Sequence, residues 1–177
     1  MNIKTQLAAN ILTNGGIISL PTDTIQGLSC LPFEASLQRL IELKQRPINK
    51  GLILISNNIA DFEDYVQDPA LLQKIKPNNN PTTYLVKANE STSKWLLGAH
   101  DTIAIRLTNN ALIKDLCAAT NSALVTTSAN LCAHPVAKST LKLRVYFQDQ
   151  LDYIITPIAT TNKPSAIINL QTGESLR

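Results

Sequence analysis

The stretch Leu37-Gln38-Arg39-Leu40-Ile41-Glu42-Leu43-Lys44-Gln45-Arg46-Pro47-Ile48-Asn49-Lys50-Gly51-Leu52-Ile53-Leu54-Ile55 changes character twice. Leu37, Leu40 and Ile41 recur at the spacing of a helix buried on one face, whereas Leu52 to Ile55 is an unbroken apolar run suited to a buried strand. Between them, Lys44 to Lys50 holds three cations and no acid. Pro47 cannot continue a helix and drives Arg46 towards an extended backbone. On such a backbone Lys44 and Arg46, two apart, are expected to point to one side. The expectation is a cationic corner between a helix end and a core strand, suited to an anion such as a phosphate chain. Solvated Lys and Arg in a last helical turn are the commoner case. This stretch alone favours that plainer reading, and the balance shifts further along the chain.

The chain has 177 residues, 44% hydrophobic and 16% charged. That length fits one domain, expected over residues 1–177, with core enough to need neither disulfide nor metal. Sixteen basic against thirteen acidic residues give +3 and a pI near 8.8, which permits a polyanionic partner without demanding one. Cys30, Cys117 and Cys132 are odd in number and lack C-x-x-C spacing, which argues against a disulfide frame or a zinc site. With only His100 and His134 as further ligands, no metal site built from protein side chains is expected. The N-terminus lacks an apolar signal region, and no stretch is long enough to cross a bilayer. A reduced, cytoplasmic protein with no membrane and no DNA partner is expected.

Ile3, Leu7, Ala8 and Ile11 predict a helix that Asn14-Gly15-Gly16 stops. Ile17 to Leu20 reads as a strand, and Pro21-Thr22-Asp23-Thr24 follows at its carboxyl end. A second loop and Pro32 then lead into the helix ending at Lys44. Strands are expected over Leu52 to Ile55, Thr82 to Val86, Ile103 to Leu107, Ala123 to Thr126, Tyr153 to Ile155 and Ala166 to Ile168. Short helices are expected around Ile59 to Val66 and from Pro69, and a turn carrying Trp95 and Leu96 is capped within Ser91 to Ser93. Longer ones run through Leu112 and Leu116, capped by Asn109 or Asn110, and from about Leu141 to Gln150, started by Ser139 or Thr140. Pro77-Asn78-Asn79-Asn80-Pro81 reads as a surface loop. The alternation is not that of regular βαβ units, so a mixed α/β (α+β) fold with one mixed sheet and helices on both faces is expected.

No G-x-x-x-x-G-K-[ST] and no G-x-G-x-x-G is present, so neither a Walker-type nor a Rossmann phosphate cradle is expected. Ser128 lies outside any G-x-S-x-G elbow, and His134 nearby is weak support for a triad base. What remains is a set of strand-end loops offering hydroxyls and a carboxylate at Thr22 to Thr24, cations at Lys44, Arg46, Lys50 and Arg106, and a hydroxyl with an amide at Ser128 and Asn130. Brought to one cleft, these groups suit an anion-rich substrate and the charge of phosphoryl transfer.

Five segments resemble, in order and interval, the motifs of the YrdC/TsaC threonylcarbamoyl-AMP synthases. They are Pro21-Thr22-Asp23-Thr24 with Gly27-Leu28; Lys44-Gln45-Arg46-Pro47 with Lys50-Gly51-Leu52; Ala104-Ile105-Arg106; Thr127-Ser128-Ala129-Asn130; and Lys163-Pro164-Ser165-Ala166-Ile167. The K-x-R and S-x-N pair is the most specific part. The resemblance implies a twisted mixed sheet with one deep basic cavity. It implies that L-threonine, bicarbonate and ATP, with Mg²⁺ carried by the nucleotide, give threonylcarbamoyl-AMP and pyrophosphate. That product feeds the t6A modification of tRNA through other proteins of the pathway, with tRNA itself a candidate partner. By position, Lys44, Arg46, Ser128 and Asn130 would hold and activate the nucleotide phosphates, with Thr127 beside them. Thr22, Thr24, Lys50 and Arg106 would form the threonine and bicarbonate pocket.

The chain departs from the pattern at several positions. Gln26 stands where the family usually has Tyr or Phe, and Asn79-Asn80-Pro81 replaces Pro-Gly-Pro. Asn110-Ala111 replaces His-Pro, Cys132-Ala133 replaces Ser-Gly, and Asn169 replaces Asp. Longer members carry a further C-terminal domain, which a chain ending at Arg177 is not expected to have. The chief rival expectation is a non-catalytic YrdC-like protein that binds tRNA or rRNA through the same basic cavity. A weaker rival is a carbamoyl-transfer domain of the hydrogenase-maturation kind.

Overall fold

The computed structural model describes residues 2–76, 80–157 and 164–176. Of the expected surface loop, residues 77–79 lie outside that range, as does Lys163 of the last motif. Among the described residues, eight strands form one mixed sheet: β1 (Ile18–Pro21), β2 (Gln26–Cys30), β3 (Ile53–Ser56), β4 (Thr82–Lys87), β5 (Thr102–Leu107), β6 (Leu124–Ser128), β7 (Tyr153–Ile154) and β8 (Ala166–Asn169). Their order is β7-β1-β2-β6-β3-β5-β4-β8. The β1–β7, β3–β5 and β4–β8 pairs are parallel and the others antiparallel.

Strand β2 corrects the expected loop between Thr24 and Pro32. Gln26-Gly27-Leu28-Ser29-Cys30 has no β-branched or aromatic residue, so nothing in its composition signals a strand. It nevertheless lies between β1 and β6 with all five residues buried. A Cβ on Gly27 would come within 2.8 Å of the Thr126 Oγ1, so the absence of a side chain there lets the strands close. Thr22 to Ile25 is accordingly a hairpin turn, closed by Thr22 N–H on the Ile25 carbonyl at 3.2 Å.

Among the described residues, five α-helices flank the sheet: α1 (Ile3–Thr13), α2 (Glu34–Leu43), α3 (Lys94–Leu97), α4 (Ala111–Thr120) and α5 (Thr140–Phe147). Residues Ile59–Tyr65 and Pro69–Lys74 form 3₁₀ helices rather than α-helices. Period-two alternation sorts the strands between two cores. Leu54 and Val125 join Leu37, Leu40, Leu143 and Phe147 beneath α2 and α5, while Ile55 and Leu124 join Ala8, Leu12, Ile113 and Leu116 beneath α1 and α4. Helices therefore cover both faces, as the sequence predicts.

Two helix details differ from expectation. Ile3 and Leu7 of α1 are exposed, and its buried face is Thr5, Ala8, Ala9 and Leu12. Helix α5 ends at Phe147, not Gln150, because Gln148 turns to a φ of 50°. Asn2, Ser93, Asn110 and Ser139 each accept a backbone N–H at a helix start. Asn110, one of the departures noted above, is thus an N-cap whose side chain accepts from Ile113 N–H at 3.1 Å.

Candidate active site

The corner after α2 is built by a Schellman closure. Arg46 N–H donates to the Ile41 carbonyl at 3.1 Å and Gln45 N–H to the Glu42 carbonyl at 2.9 Å, with Gln45 at a φ of 50°. Lys44 still has helical dihedrals, so the expected extended Lys44-Gln45-Arg46 backbone is replaced by a helix cap and a left-handed residue. The two side chains separate as a result. Arg46 donates from Nη2 to the Gly51 carbonyl at 2.7 Å and lines the cavity described below. Lys44 is only 3% exposed and runs under the loop that follows β6.

There the Lys44 Nζ donates to the carbonyls of Ser128 and Asn130 and, at 3.2 Å, to the Asn130 Oδ1. The same Oδ1 accepts the Ser128 hydroxyl at 2.6 Å, and the Asn130 Nδ2 donates to the His134 carbonyl at 2.7 Å. Three oxygens match the three N–H bonds of an ammonium, so Lys44 and the Ser128–Asn130 couple form one network, with Arg46 outside it. Ala133, where the resemblance implies glycine, has a φ of 62°. A side chain in that region costs about 1 kcal/mol.

Strands β2, β6, β3, β5, β4 and β8 form the floor of a cavity of about 540 Å³, within the range that buries a small ligand. Its floor residues Thr126, Ile53 and Ala104 pair across the sheet and share the face that α1 and α4 cover elsewhere. Of the residues singled out from the sequence, Thr22, Thr24, Arg46, Lys50, Arg106, Thr127 and Ser128 line this cavity, whereas Lys44 and Asn130 are not part of the described lining. Arg106 is 4% exposed, with its Nη2 3.0 Å from the Asp23 Oδ1 and its Nη1 donating to the Thr24 Oγ1 at 3.3 Å. Thr24 and Thr22 hydroxyls lie 3.1 Å apart.

The Nε atoms of Arg46 and Arg106 are buried and lack a protein acceptor. The described lining holds three cations and no carboxylate. Burial lowers the pKa of both guanidiniums, opposed by Cys132 for Arg46 and by Asp23 for Arg106. An anion in the cavity supplies what these donors lack. Among the described residues, no group of three or more His, Cys, Asp or Glu gathers as a metal site.

Sequence reasoning did not place Thr83, Thr102, His100 or Leu176 in the cavity. Leu176 arrives because its N–H donates to the Ile167 carbonyl at 2.8 Å after a turn held by Asn169, whose Oδ1 accepts from Gln171 and Thr172 N–H. Asn169 thus keeps the acceptor that an Asp would offer. Gln26 does not line the cavity; its Nε2 donates to Ser19 Oγ and the Ile155 carbonyl at 2.9 and 3.1 Å.

Burial, then Arg46, lowers the Lys44 pKa from 10.5 to about 7, with Cys132 opposing. Between those values the unfolded chain holds a proton that the folded one has released, so stability rises with pH. Cys30 and Cys117 act oppositely: burial raises them from 9.0 to about 12 and about 11, so above 9.0 the unfolded thiols lose protons that the folded ones keep. Urea midpoints should rise from about pH 6 to 9 and fall beyond. In Lys44→Met the rise should vanish while the fall remains; an unchanged rise would refute the assignment.

The Sua5/YciO/YrdC family model, whose description reads telomere recombination, matches residues 10–177. A threonylcarbamoyl-AMP synthase of Pseudomonas aeruginosa (strain UCBPP-PA14) is 35% identical over 181 residues, covering 99% of this chain and 97% of that one. One of Pseudomonas putida (strain GB-1) is 37% identical over 183 residues, with the same coverage. The fold is similar to that of P. abyssi Sua5 complexed with L-threonine, at a TM-score of 0.85 and 23% identity, over 97% of this chain and 52% of that one. E. coli YciO superposes at a TM-score of 0.78 with 22% identity, over 98% of this chain and 89% of that one. The chain belongs to the Sua5/YciO/YrdC family.

Proposed function

We propose that this protein is an L-threonylcarbamoyladenylate synthase, a nucleotidyltransferase working as a single YrdC-like domain over residues 1–177. It makes threonylcarbamoyl-AMP and pyrophosphate from L-threonine, bicarbonate and ATP. The observation that carries the reading is the pair of buried guanidinium Nε donors, on Arg46 and Arg106, left without acceptors in a cavity whose described lining has no carboxylate. Arg46, Ser128 and Thr127 take the nucleotide phosphates, with Lys44 and Asn130 holding the loop that presents Ser128. Arg106, Thr24, Thr22 and Lys50 take threonine and bicarbonate, Arg106 facing a carboxylate. Mg²⁺ travels on the nucleotide phosphates.

The amine of threonine attacks carbon dioxide derived from bicarbonate, and the carbamate oxygen attacks the α-phosphorus as pyrophosphate leaves. Positioning and charge neutralisation carry the step without a covalent enzyme intermediate. In the cytoplasm the product supplies t6A formation on tRNA, through other proteins of that pathway. Pyrophosphate release from ATP, with threonine and bicarbonate omitted in turn, tests the reading. Release should need both; release indifferent to threonine removes the assignment.

A further inference from the structure

Making a carbamate from an amino acid's ammonium form leaves one proton to be carried away. The ammonium must give up a proton before its nitrogen has a lone pair. Carbon dioxide forms as bicarbonate loses hydroxide, the C–N bond forms, and that hydroxide leaves as water with the second nitrogen proton. The first proton needs an acceptor. Arg46, Lys50 and Arg106 are cations, and the hydroxyls of the threonine and serine side chains are poor bases near neutrality. His100 also lines the cavity, and its imidazole is the one side chain of general-base type in the described lining.

We infer that His100, at the cavity mouth, is the proton acceptor that frees the threonine amine. This rests on the synthase reading above. Its backbone is set by the link between Lys50 and Gly98: Ala99 N–H donates to the Asn49 carbonyl at 3.0 Å and His100 N–H to the Leu97 carbonyl at 3.3 Å. A Cβ on Gly98 would lie 2.5 Å from the Asn49 carbonyl oxygen, so the segment bearing His100 is tied closely to the segment bearing Lys50. The side chain of His100 is exposed, giving the proton a route to solvent once the imidazole has taken it. The charged groups that share the cavity lining with it are Lys50, Arg46 and Arg106, and the neighbouring Asp101 is approached by Lys87 at 3.7 Å.

The test compares wild type, His100→Ala and His100→Gln in threonine-dependent pyrophosphate release, with ATP affinity measured in parallel. Both variants should lose roughly 10²-fold in kcat while ATP affinity stays within about twofold. Added imidazole should restore about tenfold or more to His100→Ala, since it supplies the missing base. Turnover near the wild-type rate in either variant, or no response to imidazole, overturns the inference while leaving the synthase reading intact. A wild type that needs no threonine removes that reading, and the inference with it.

Discussion

Lys44→Met is expected to lower kcat/KM for ATP by roughly 10²-fold or more, equivalent to about 3 kcal/mol, with little change in overall stability. Two opposing terms produce that split. Removing a buried ammonium relieves a desolvation cost large enough to bring the pKa to about 7. It also leaves the carbonyls of Ser128 and Asn130 and the Asn130 Oδ1 without their donor, at about 1–3 kcal/mol for each buried acceptor. The terms offset in stability, but not at the site, because all the lost contacts belong to the loop that presents Ser128. Lys44→Arg should not rescue, since a planar fork cannot reach three oxygens gathered around one nitrogen. Steady-state kinetics and urea unfolding on the same preparations check this. Wild-type kinetics in Lys44→Met would show that the loop needs no pin.

Arg106→Ala is expected to raise the threonine KM by about ten- to a hundredfold, the range for one charge-assisted contact. It should also destabilise the fold by about 2–3 kcal/mol, below the 3–5 of a fully buried pair, because the Asp23 side chain is 23% exposed. The loss leaves the Asp23 carboxylate with the Thr108 hydroxyl, which donates to its Oδ2 at 3.2 Å. Asp23→Ala combined with Arg106→Ala should recover part of the stability while leaving the threonine KM raised. That pattern separates the structural pair from the substrate contact. A threonine KM unchanged in Arg106→Ala would remove its assigned role.

The residues that made the site legible were those whose chemistry does not depend on precise backbone path. Lys44 meets Ser128 and Asn130, and Arg46 shares the cavity lining with Ser128, because the end of α2 and the end of β6 lie close together; the expected gathering of all four side chains around one phosphate chain is split between a buried network and the cavity wall. Their individual geometry was not legible. Gln45 adopts a left-handed φ that its identity does not signal, and this turns Lys44 inward while Arg46 faces the cavity. β2 was missed for a related reason. Gly27 carries no side chain where Thr126 leaves no room for one, as the 2.8 Å approach shows, and the strand holds none of the β-branched or aromatic residues that strand preference rewards. His100 and Leu176 reach the cavity only through long-range backbone pairing, from Gly98 to Lys50 and from Leu176 to Ile167. Spacing along the chain carries no trace of either. Within α1 the helical spacing is real, but the buried face is Thr5, Ala8, Ala9 and Leu12, while Ile3 and Leu7 face solvent.

The central claim is that a cationic pair after α2 and a hydroxyl–amide pair after β6 serve one nucleotide. Equilibrium binding of ATP to wild type, Arg46→Ala and Asn130→Ala, each checked for an unchanged fold by circular dichroism, tests it most directly. Arg46→Ala removes a guanidinium that lines the cavity, and Asn130→Ala removes the oxygen that joins Ser128 to Lys44. Both folded variants should bind ATP about ten- to a hundredfold more weakly than wild type. Wild-type affinity in both would contradict the claim.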